Sequence, residues 1–473
     1  MDTKKLRQKI LDLAIHGKLV PQDPNDEPAS VLLERIREEK DRLIKEGKIK
    51  KSKSTASSDT SHYENVPFDV PEGWCWRTIK DICSKIGSGS TPRGSNYAST
   101  GIPFFRSQNV YNDGLVYDDI KYISEEVHKS MIGTEVLPKD LLLNITGGSL
   151  GRCAVVPSDF ERGNVSQHVC ILRTIQVLPE YLHCFIISDY FSDTMILSGS
   201  GREGLPKYSL EAMMIPIPPL AEQYRIVTSI EQWISFIDSI ESSTTDLLQS
   251  VQFAKSKILD LAIRGKLVPQ DANDEPASEL LKRINPKAIA SCDNPHYANI
   301  PSSWVYTTMG SIFQHNTGKA LNKSASTEGT LLPYLTTSNV YWNTFDLSVV
   351  KEMRFKESEI EKCTIRKGDM LVCEGGDIGR AAIWDKDYSI CIQNHLHRLR
   401  PKGDVVPLLY LYYIMYLKLT NNLEGKGIGL QGFSSGLLDK LEIPLPPYNE
   451  QIRIVYKIQE AFDALDSIAE SLN

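Results

Sequence analysis

Two segments of this chain are nearly identical, and that repetition constrains its fold more than any other feature. Residues 9–36 read KILDLAIHGKLVPQDPNDEPASVLLERI and residues 257–284 read KILDLAIRGKLVPQDANDEPASELLKRI, so that only four of the 28 positions differ. A second matched pair lies elsewhere, with IPIPPLAEQYRIV at 215–227 and IPLPPYNEQIRIV at 443–455. Repeated segments of this kind indicate a tandem duplication. The chain is therefore expected to fold as two similar parts with similar connecting segments.

The regions between the matched segments differ much more from each other. Residues 65–218 and 299–446 share short landmarks only, which are PEGW at 71–74 with PSSW at 301–304, SQNVY at 107–111 with TSNVY at 337–341, GGSLGR at 147–152 with GGDIGR at 375–380, and QH at 167–168 with NH at 394–395. Drift after a recent duplication explains poorly why only these regions diverged. A constant scaffold that carries two different recognition regions explains it better.

Both divergent regions have the pattern of β-rich domains. Short apolar runs alternate there with glycine and aspartate, which predicts a twisted mixed sheet with a few helices in each region. The shared Trp74 and Trp304 are predicted core residues. The shared GG-x-[LI]-GR pattern predicts a turn between two strands that needs glycine. A phosphate cradle made by the backbone N–H groups of this turn is the alternative interpretation.

A heptad pattern of apolar residues runs between Gln223 and Arg264. Its spacing alternates between four and three residues over about five heptads, which predicts a coiled coil. Glu222 near the start suits the helix dipole, and Gly265 with Pro269 predicts the end of a helix about 60 Å long at ~1.5 Å per residue. The predicted seam residues of this central helix are Ile226, Ile230, Trp233, Ile237, Ile240, Leu247, Val251, Ile258 and Leu261.

The two ends of the chain carry the same heptad pattern. The C-terminal segment matches the beginning of the central helix and the N-terminal segment matches its end, with three positions missing between them. We therefore expect both terminal helices to pair with the central helix in an antiparallel two-helix coiled coil. A helix packed on a domain core is the alternative, and it usually has a broader apolar stripe. The predicted seam residues of the terminal helices are Leu6, Ile10, Leu13, Ile454, Ile458, Leu465 and Ile468.

These observations predict the fold class and a division into domains. We expect an α/β (α+β) protein in which a long antiparallel two-helix coiled coil separates two β-rich mixed globular domains, in a circular, pseudo-twofold tandem repeat. The predicted segments are an N-terminal helix (1–21), a repeat segment with a polar linker (22–64), a first recognition domain (65–218), a central helix (219–266), a second repeat segment and linker (267–298), a second recognition domain (299–446) and a C-terminal helix (447–473).

The sequence lacks the residues that several classes of function require. No run of about 18 apolar residues predicts a membrane span, and charges interrupt the N-terminal apolar residues where a signal peptide needs an unbroken core. The nine cysteines form no CxxC pair, and the nine histidines show no metal-ligand spacing. The DNPHY sequence at 293–297 is close to a methyltransferase motif, but its third residue differs and no cofactor loop precedes it. We therefore predict a cytoplasmic binding or scaffolding protein without catalytic residues, metal ligands or a cofactor.

In their circular order, the two P-x-P-P-x-x-E-Q-x-R-I-V segments and the two ILDLAI-x-GKLVPQ segments resemble the specificity subunit of type I restriction–modification systems. The resemblance covers essentially the whole chain. It implies two target recognition domains that each recognise one half of an asymmetric bipartite site in double-stranded DNA. It also implies that the helices set the gap and dock two modification subunits, with restriction subunits as further partners. S-adenosylmethionine, ATP and Mg²⁺ are then expected on the partner subunits.

The residues that contact DNA are predicted from loop chemistry, because Arg and Lys suit guanine whereas Asn and Gln suit adenine. The formal net charge of −7 is a weak objection, and it predicts low affinity for DNA without partner subunits. In the first domain the candidates are Arg93, Arg106, Gln108, Asn109, Arg152, Gln167, His168, Arg202 and Lys207. In the second domain they are Lys319, Lys323, Ser338, Asn339, Arg380, Asn394, His395, Lys426 and Gln431.

Two other classes of function stay open at this point. One is a scaffold unrelated to DNA, in which the coiled coil presents two protein-binding domains. The other is an enzyme whose active site has no recognisable motif.

Overall fold

The structure is a computed structural model that describes residues 2–49, 66–92, 94, 96–198, 204–290, 300–320, 328–423 and 434–472. The chain divides into two compact units, Met1–Ser243 (unit 1) and Thr244–Asn473 (unit 2). Each unit has its own main hydrophobic core. Mixed sheets and helices occur in both units, which confirms the predicted fold class.

Unit 1 contains the first set of elements. Its helices are α1 (Thr3–Ile15), α2 (Ala29–Lys45), α3 (Ile79–Ile82), α4 (Glu125–Ser130), α5 (Pro179–Ile186), α6 (Asp189–Thr194), α7 (Lys207–Ala212) and the beginning of α8 (Leu220–Ile263), which continues into unit 2. Its strands are β1 (Cys75–Thr78), β2 (Cys83–Ser88), β3 (Ile102–Phe105), β4 (Val110–Tyr111), β5 (Gly114–Leu115), β6 (Lys121–Ile123), β7 (Glu135–Val136), β8 (Leu141–Asn144), β9 (Cys153–Val155), β10 (Gly163–Val165), β11 (Val169–Thr174) and β12 (Met214–Ile217).

Two four-stranded sheets contain most of the strands of unit 1. One sheet has the strand order β6-β3-β10-β7 and the other has the order β2-β11-β8-β9. The β3–β10 pair is parallel, whereas the other pairs in these two sheets are antiparallel. Strands β4 and β5 form a separate short hairpin.

The side chains of strand β8 explain how the layers pack. Leu141 and Leu143 join the core that includes Leu182 of helix α5. Leu142 joins a second core, which includes Val165 of the other sheet. A strand that is covered on both faces is apolar at every position rather than at alternate ones, and this accounts for the uninterrupted Leu141–Leu143 run. The sheet therefore has helices on one face and the second sheet on the other.

A two-stranded stem connects the sheet-rich part of unit 1 to its helices. Strand β1 pairs antiparallel with β12, with Cys75 opposite Ile217 and Thr78 opposite Met214. The chain therefore enters and leaves the sheet-rich part through two adjacent strands, although about 140 residues separate them.

Unit 2 contains the second set of elements. Its helices are the end of α8 and α9 (Ala277–Ile284), α10 (Met309–Ile312), α11 (Glu357–Cys363), α12 (Pro407–Leu419), α13 (Ser435–Asp439) and α14 (Tyr448–Ser471). Its strands are β13 (Val305–Thr308), β14 (Phe313–Thr317), β15 (Thr330–Leu335), β16 (Val340–Tyr341), β17 (Thr344–Phe345), β18 (Lys351–Phe355), β19 (Thr364–Ile365), β20 (Met370–Cys373), β21 (Ala381–Ile383), β22 (Ile390–Ile392), β23 (Leu396–Pro401) and β24 (Glu442–Leu445).

Unit 2 repeats the topology of unit 1. Its four-stranded sheets have the orders β18-β15-β22-β19 and β14-β23-β20-β21, its stem is β13–β24, and its short hairpin is β16–β17. The stem again joins distant strands, with Val305 opposite Leu445. The duplication therefore preserved the strand order even where few residues match.

The matched PxPPxxEQxRIV segments form the same buried junction in each unit. In unit 1, Trp74 Nε1 donates to Glu222 Oε2 at 2.9 Å, and Gln22 Nε2 donates to Glu222 Oε1 at 3.0 Å. The next residue, Gln223, donates to Pro218 O at 3.0 Å and accepts from the backbone of Leu178 at 3.0 Å. Glu222 and Gln223 are buried. The carboxylate of Glu222 thus joins three chain segments, a role that the helix-dipole argument did not predict.

The junction in unit 2 has equivalent contacts. Trp304 Nε1 donates to Glu450 Oε2 at 2.9 Å, and Gln270 Nε2 donates to Glu450 Oε1 at 2.5 Å. Arg453 pairs with Asp274 at 2.7 Å. Trp304 is buried, as Trp74 is in unit 1, so both tryptophans are core residues as predicted. A buried carboxylate needs these donors to offset its desolvation, which gives a physical reason for the near-identity of the repeats here.

A terminal helix packs antiparallel along part of helix α8 in each unit. In unit 1, Arg7 of helix α1 pairs with Asp238 of helix α8 at 2.5 Å. In unit 2, Lys255 of helix α8 pairs with Asp466 of helix α14. The repeats place Arg7 and Lys255 at matching positions, and likewise Asp238 and Asp466. These ion pairs are partly exposed, so each contributes about 0–1 kcal/mol.

The buried stripe of these helices departs from the predicted heptad seam. Leu6, Trp233, Leu247 and Ile468 are exposed, so their assignment to the seam is wrong. A straight helix drifts by about 20° per heptad against a strict 3.5-residue repeat, which carries side chains at one edge of the stripe out of the contact. The predicted seam residues that are buried are Ile10, Ile226, Ile230, Ile237, Val251, Ile454 and Ile458. Those that are partly buried are Leu13, Ile240, Ile258, Leu261 and Leu465.

The stripe is broader where a helix meets the sheet-rich part of its unit. In helix α8, Leu259, Ala262 and Ile263 are buried beside the predicted Ile258 and Leu261. This end of the helix packs against the core of unit 2. The alternative of a helix packed on a domain core therefore applies there.

Candidate nucleic-acid interface

Asn109 holds the turn that follows strand β3 in unit 1. Its side-chain oxygen accepts from the backbone N–H of Arg106 at 3.1 Å. Its amide nitrogen donates to the carbonyls of Val116 at 3.0 Å and Asp118 at 3.2 Å. Because Asn109 is fully buried and uses both ends of its amide, the prediction that it contacts a base is wrong. Its role is to shape the turn that presents Gln108.

Asn339 does the same in unit 2. Its side-chain oxygen accepts from the backbone N–H of Thr336 at 2.9 Å, and its amide nitrogen donates to the carbonyls of Asp346 and Val349 at 2.9 Å each. It is also buried, so the predicted base contact is wrong here for the same reason. Ser338, which precedes it, is exposed.

Replacing Asn109 with alanine is expected to lower the free energy of unfolding of unit 1 by about 1–3 kcal/mol, because two partly buried carbonyls lose their donor and the buried amide leaves a gap. Thermal unfolding measures this loss of stability, and hydrogen exchange across residues 102–123 shows whether it is located at this turn. The exposed neighbour offers a matched control, since Gln108→Ala should change stability by less than about 0.5 kcal/mol. An equal effect of the two substitutions would show that Asn109 does not hold the turn.

The GG-x-[LI]-GR pattern forms a turn between strands β8 and β9 in unit 1 and between β20 and β21 in unit 2, as predicted. Gly147 and Gly151 have φ values of 76° and 86°, and Gly376 and Gly379 have φ values of 75° and 81°. Side chains rarely adopt this left-handed conformation. The turn therefore needs glycine at these positions, and it ends with an arginine in both units.

The arginine that ends each glycine turn lies over a tyrosine ring. The guanidinium carbon of Arg152 is 4.7 Å from the centre of the Tyr111 ring, and that of Arg380 is 4.8 Å from the centre of the Tyr341 ring. Both tyrosines are partly exposed, at 37% and 43%. We did not predict the tyrosines as site residues, although the shared Val-Tyr after each Asn was a signal that could have identified them.

The glycine turn contacts two neighbouring loops in unit 1. Asn144 Nδ2, at the end of strand β8, donates to the carbonyl of Ser107 at 2.8 Å. The backbone N–H of Ile145 donates to the carbonyl of His168 at 3.0 Å. Gln167 is exposed beside His168. The Asn-capped turn, the glycine turn and the Gln167–His168 turn therefore form one surface.

The same three loops meet in unit 2. Arg380 Nη2 donates to the carbonyl of Thr337 at 2.6 Å. The backbone N–H of Glu374 donates to the carbonyl of His395 at 3.0 Å. Asn394 is partly buried and His395 is exposed. In each unit we call this set of three loops the loop surface.

The histidine of each loop surface has a different partner. His168 Nδ1 lies 2.8 Å from Thr146 Oγ1 in unit 1. In unit 2, His395 Nδ1 lies 3.6 Å from Glu374 Oε2. The glycine turn is one residue shorter in unit 2, which places a carboxylate where unit 1 has a hydroxyl group.

Two of the predicted cations are neutralised by nearby carboxylates. Arg106 pairs with Asp119 at 3.1 Å, and hydrogen bonds from Arg106, Lys121 and Gln108 hold the pKa of Asp119 below its usual value. Lys319 pairs with Glu359 at 2.6 Å. The hydrogen bond from Lys319 likewise lowers the pKa of Glu359.

Lys319 is mostly buried and its Nζ also donates to the carbonyl of Arg354 at 2.8 Å. A charge bound in this way is poorly placed to contact DNA. The prediction for Lys319 is therefore not supported by its surroundings.

The remaining candidates are either exposed or outside the described residues. Lys207 is exposed and lies 3.5 Å from Glu211. The predicted residues that lie outside the described residues are Arg93, Arg202, Lys323, Lys426 and Gln431.

Across the described ranges, no group of three or more His, Cys, Asp or Glu side chains is arranged to hold a metal ion. None of the helices in the part of the chain that the structure describes combines the length and the hydropathy that a bilayer crossing requires.

Comparisons with known proteins identify similar chains. The family described as "Type I restriction modification DNA specificity domain" matches residues 71–249 and 301–473. The EcoEI specificity subunit of a type I restriction enzyme from Escherichia coli is 26% identical over 552 residues, covering 99% of this chain and 90% of that protein. The EcoAI specificity subunit from Escherichia coli is also 26% identical, covering 98% of this chain and 90% of that protein.

Solved structures also resemble this chain. One, from a study of the assembly and conformational transition of the type I R-M system, has a TM-score of 0.63 at 18% identity and covers 86% of this chain and 94% of that chain. The HsdS subunit from Thermoanaerobacter tengcongensis has a TM-score of 0.54 at 20% identity, covering 86% and 93%. At these identities the likeness supports the fold alone.

Proposed function

The chain belongs to the type I restriction modification DNA specificity family, and from this membership we propose that each unit recognises one half of an asymmetric bipartite DNA site. The protein is the DNA specificity subunit of a type I restriction–modification system, and the alternative of a scaffold unrelated to DNA is not favoured.

The observation that carries this proposal is the duplicated loop surface. Both units place an arginine on a tyrosine ring beside an Asn-capped turn, at 4.7 Å and 4.8 Å. Polar side chains around these pairs differ between the units, with Gln108 and Gln167 in unit 1 but Ser338 and the partly buried Asn394 at the matching positions in unit 2. Guanidinium groups suit phosphate and guanine, and short amides suit adenine. Two similar surfaces with different polar groups fit two different half-sites.

The helices are proposed to dock two modification subunits. Trp233 and Phe236 of helix α8 are 47% and 58% exposed, and their rings lie 6.3 Å apart in an edge-to-face arrangement. Phe253 and Tyr456 are also exposed, on helices α8 and α14. Exposed aromatic side chains of this kind often mark protein contacts. We further propose that S-adenosylmethionine, ATP and Mg²⁺ bind to modification and restriction subunits, so that this chain recognises DNA without catalysing a reaction.

Expression of the full chain with its modification subunit tests this proposal, in a host without other adenine methylation. Genome-wide methylation mapping is expected to find one gapped motif with two different halves. The modification subunit expressed alone is the control and should leave that motif unmethylated. If an active pair of subunits methylates no gapped motif, the proposal is contradicted and the scaffold alternative regains support.

A further inference from the structure

The loop surfaces of the two units combine shared and different side chains. The shared part is the stacked pair, Arg152 on Tyr111 and Arg380 on Tyr341. Neither arginine has a carboxylate partner within ion-pair distance among the described residues. The carboxylate nearest along the chain to Arg380, that of Asp377, pairs instead with Lys418 at 3.2 Å.

The backbone holds the two arginines in equivalent places. The carbonyl of Arg152 accepts from the backbone N–H of Asn144 at 2.8 Å, and the carbonyl of Arg380 accepts from that of Cys373 at 2.8 Å. Asn144 and Cys373 occupy the same ladder position, because they pair with Val169 and Leu396. Each arginine side chain therefore begins at the same position beside its sheet. Its guanidinium has no carboxylate within ion-pair distance among the described residues.

The side chains around each pair are different in the two units. Gln108 of unit 1 corresponds to Ser338, and Gln167 corresponds to Asn394. The histidine shared by the two units faces the hydroxyl of Thr146 in unit 1 but the carboxylate of Glu374 in unit 2. These groups differ in length and in hydrogen-bonding capacity, which is what discrimination between bases requires.

We infer that Arg152 and Arg380 are sequence-independent phosphate anchors, and that the differing side chains beside them distinguish the two half-sites. This inference rests on the proposed function. It divides the DNA contacts of each unit into phosphate contacts, which both units share, and base contacts, which differ between them. A group that is the same in both units cannot by itself select different sequences. Phosphates occur at every step of DNA, so an identical anchor serves both half-sites and fixes the register in which the variable side chains meet the bases.

The chemistry of the pair suits an anchor. A guanidinium that lies over a tyrosine ring still offers N–H groups to phosphate oxygens. In unit 2 the Nη2 of Arg380 also donates to the carbonyl of Thr337 at 2.6 Å, which leaves its other terminal N–H groups for a phosphate. Stacking also restricts the long arginine side chain before DNA arrives. Less conformational entropy is then lost on binding.

The test measures affinity and sequence preference separately, with the full chain assembled with its modification subunit. For Arg152→Ala, DNA binding is expected to weaken about 10- to 100-fold. The plot of log K against the logarithm of the salt concentration should become less steep, with the magnitude of its slope smaller by about one. The methylated motif, determined on a randomised DNA library, should stay unchanged at every position. Arg380→Ala should give the same result. Gln108→Ser, in contrast, should alter the base preference in one half of the motif only.

Further variants distinguish a loss of DNA binding from a folding defect. Arg152→Lys keeps the charge without the stacked fork, and it should weaken binding less than alanine with the motif unchanged. Circular dichroism melting should place both arginine variants within a few degrees of the parent protein. A motif that becomes degenerate at one base in Arg152→Ala or Arg152→Lys would overturn the inference, because the arginine would then read that base. If the parent complex itself shows no bipartite motif, the proposed function fails instead.

Discussion

Replacing Glu450 with alanine is expected to lower the free energy of unfolding of unit 2 by about 2–4 kcal/mol. The carboxylate accepts from Trp304 Nε1 at 2.9 Å and from Gln270 Nε2 at 2.5 Å inside the junction. Its removal leaves the buried Nε1 of Trp304 without an acceptor, at about 1–3 kcal/mol, and it opens a small cavity. Gln270 Nε2 loses its closer acceptor but keeps the carbonyl of Gly265 at 3.3 Å. Denaturant unfolding, monitored by the fluorescence of the buried Trp304, measures this change in stability. Hydrogen exchange then shows which part of unit 2 is destabilised.

Glu450→Gln is the matched control, because glutamine fills the same volume and still accepts from Trp304. Burial raises the pKa of Glu450 above its usual value. Its protonated form is therefore favoured by folding, and the stability of the parent protein should fall as pH rises from the unfolded pKa through the folded pKa. Glu450→Gln should lack this decline. Losses of similar size in Glu450→Gln and Glu450→Ala would contradict the importance of the accepting oxygen.

Exchanging residues 79–213 for the corresponding residues of another family member is expected to replace one half of the methylated motif completely. The reason is the β1–β12 stem, in which Thr78 lies opposite Met214. A new sheet-rich part that starts and ends on this stem leaves Trp74, Glu222 and the helices in place. Methylation mapping of the chimaera measures the outcome, and the other half of the motif and the gap should not change.

The equivalent exchange in unit 2 is the control. Strands β13 and β24 form the same stem, with Thr308 opposite Glu442. Exchange of residues 309–441 should therefore change only the other half of the motif. A change in both halves from either exchange would show that the units do not recognise DNA independently.

Local patterns predicted much of the architecture. The matched segments at 9–36 and 257–284 predicted two similar units, and the apolar heptads predicted the long helix and the helices at both ends. Glycine spacing predicted the turns that end at Arg152 and Arg380. These features depend on residues close together in the chain or on identity between the two copies. Both can be read directly from the amino-acid sequence.

Contacts that depend on the folded arrangement were not predictable in this way. The heptad pattern did not show that Trp233 is exposed, because a straight helix drifts against the 3.5-residue repeat and turns some of its positions out of the contact. Asn109 has the chemistry of an adenine contact, but three backbone groups use its amide inside the fold.

The sequence by itself therefore determined that this protein is a tandem duplication with matched connecting segments and two divergent regions. The tertiary structure decided which polar side chains remain available to a partner. The stem, the Glu450 junction and the stacking of Arg152 on Tyr111 each join residues that are far apart in the chain. Their pairing depends on the packed arrangement of the sheets, because long-range contacts form only where the whole core brings their groups within a few ångströms.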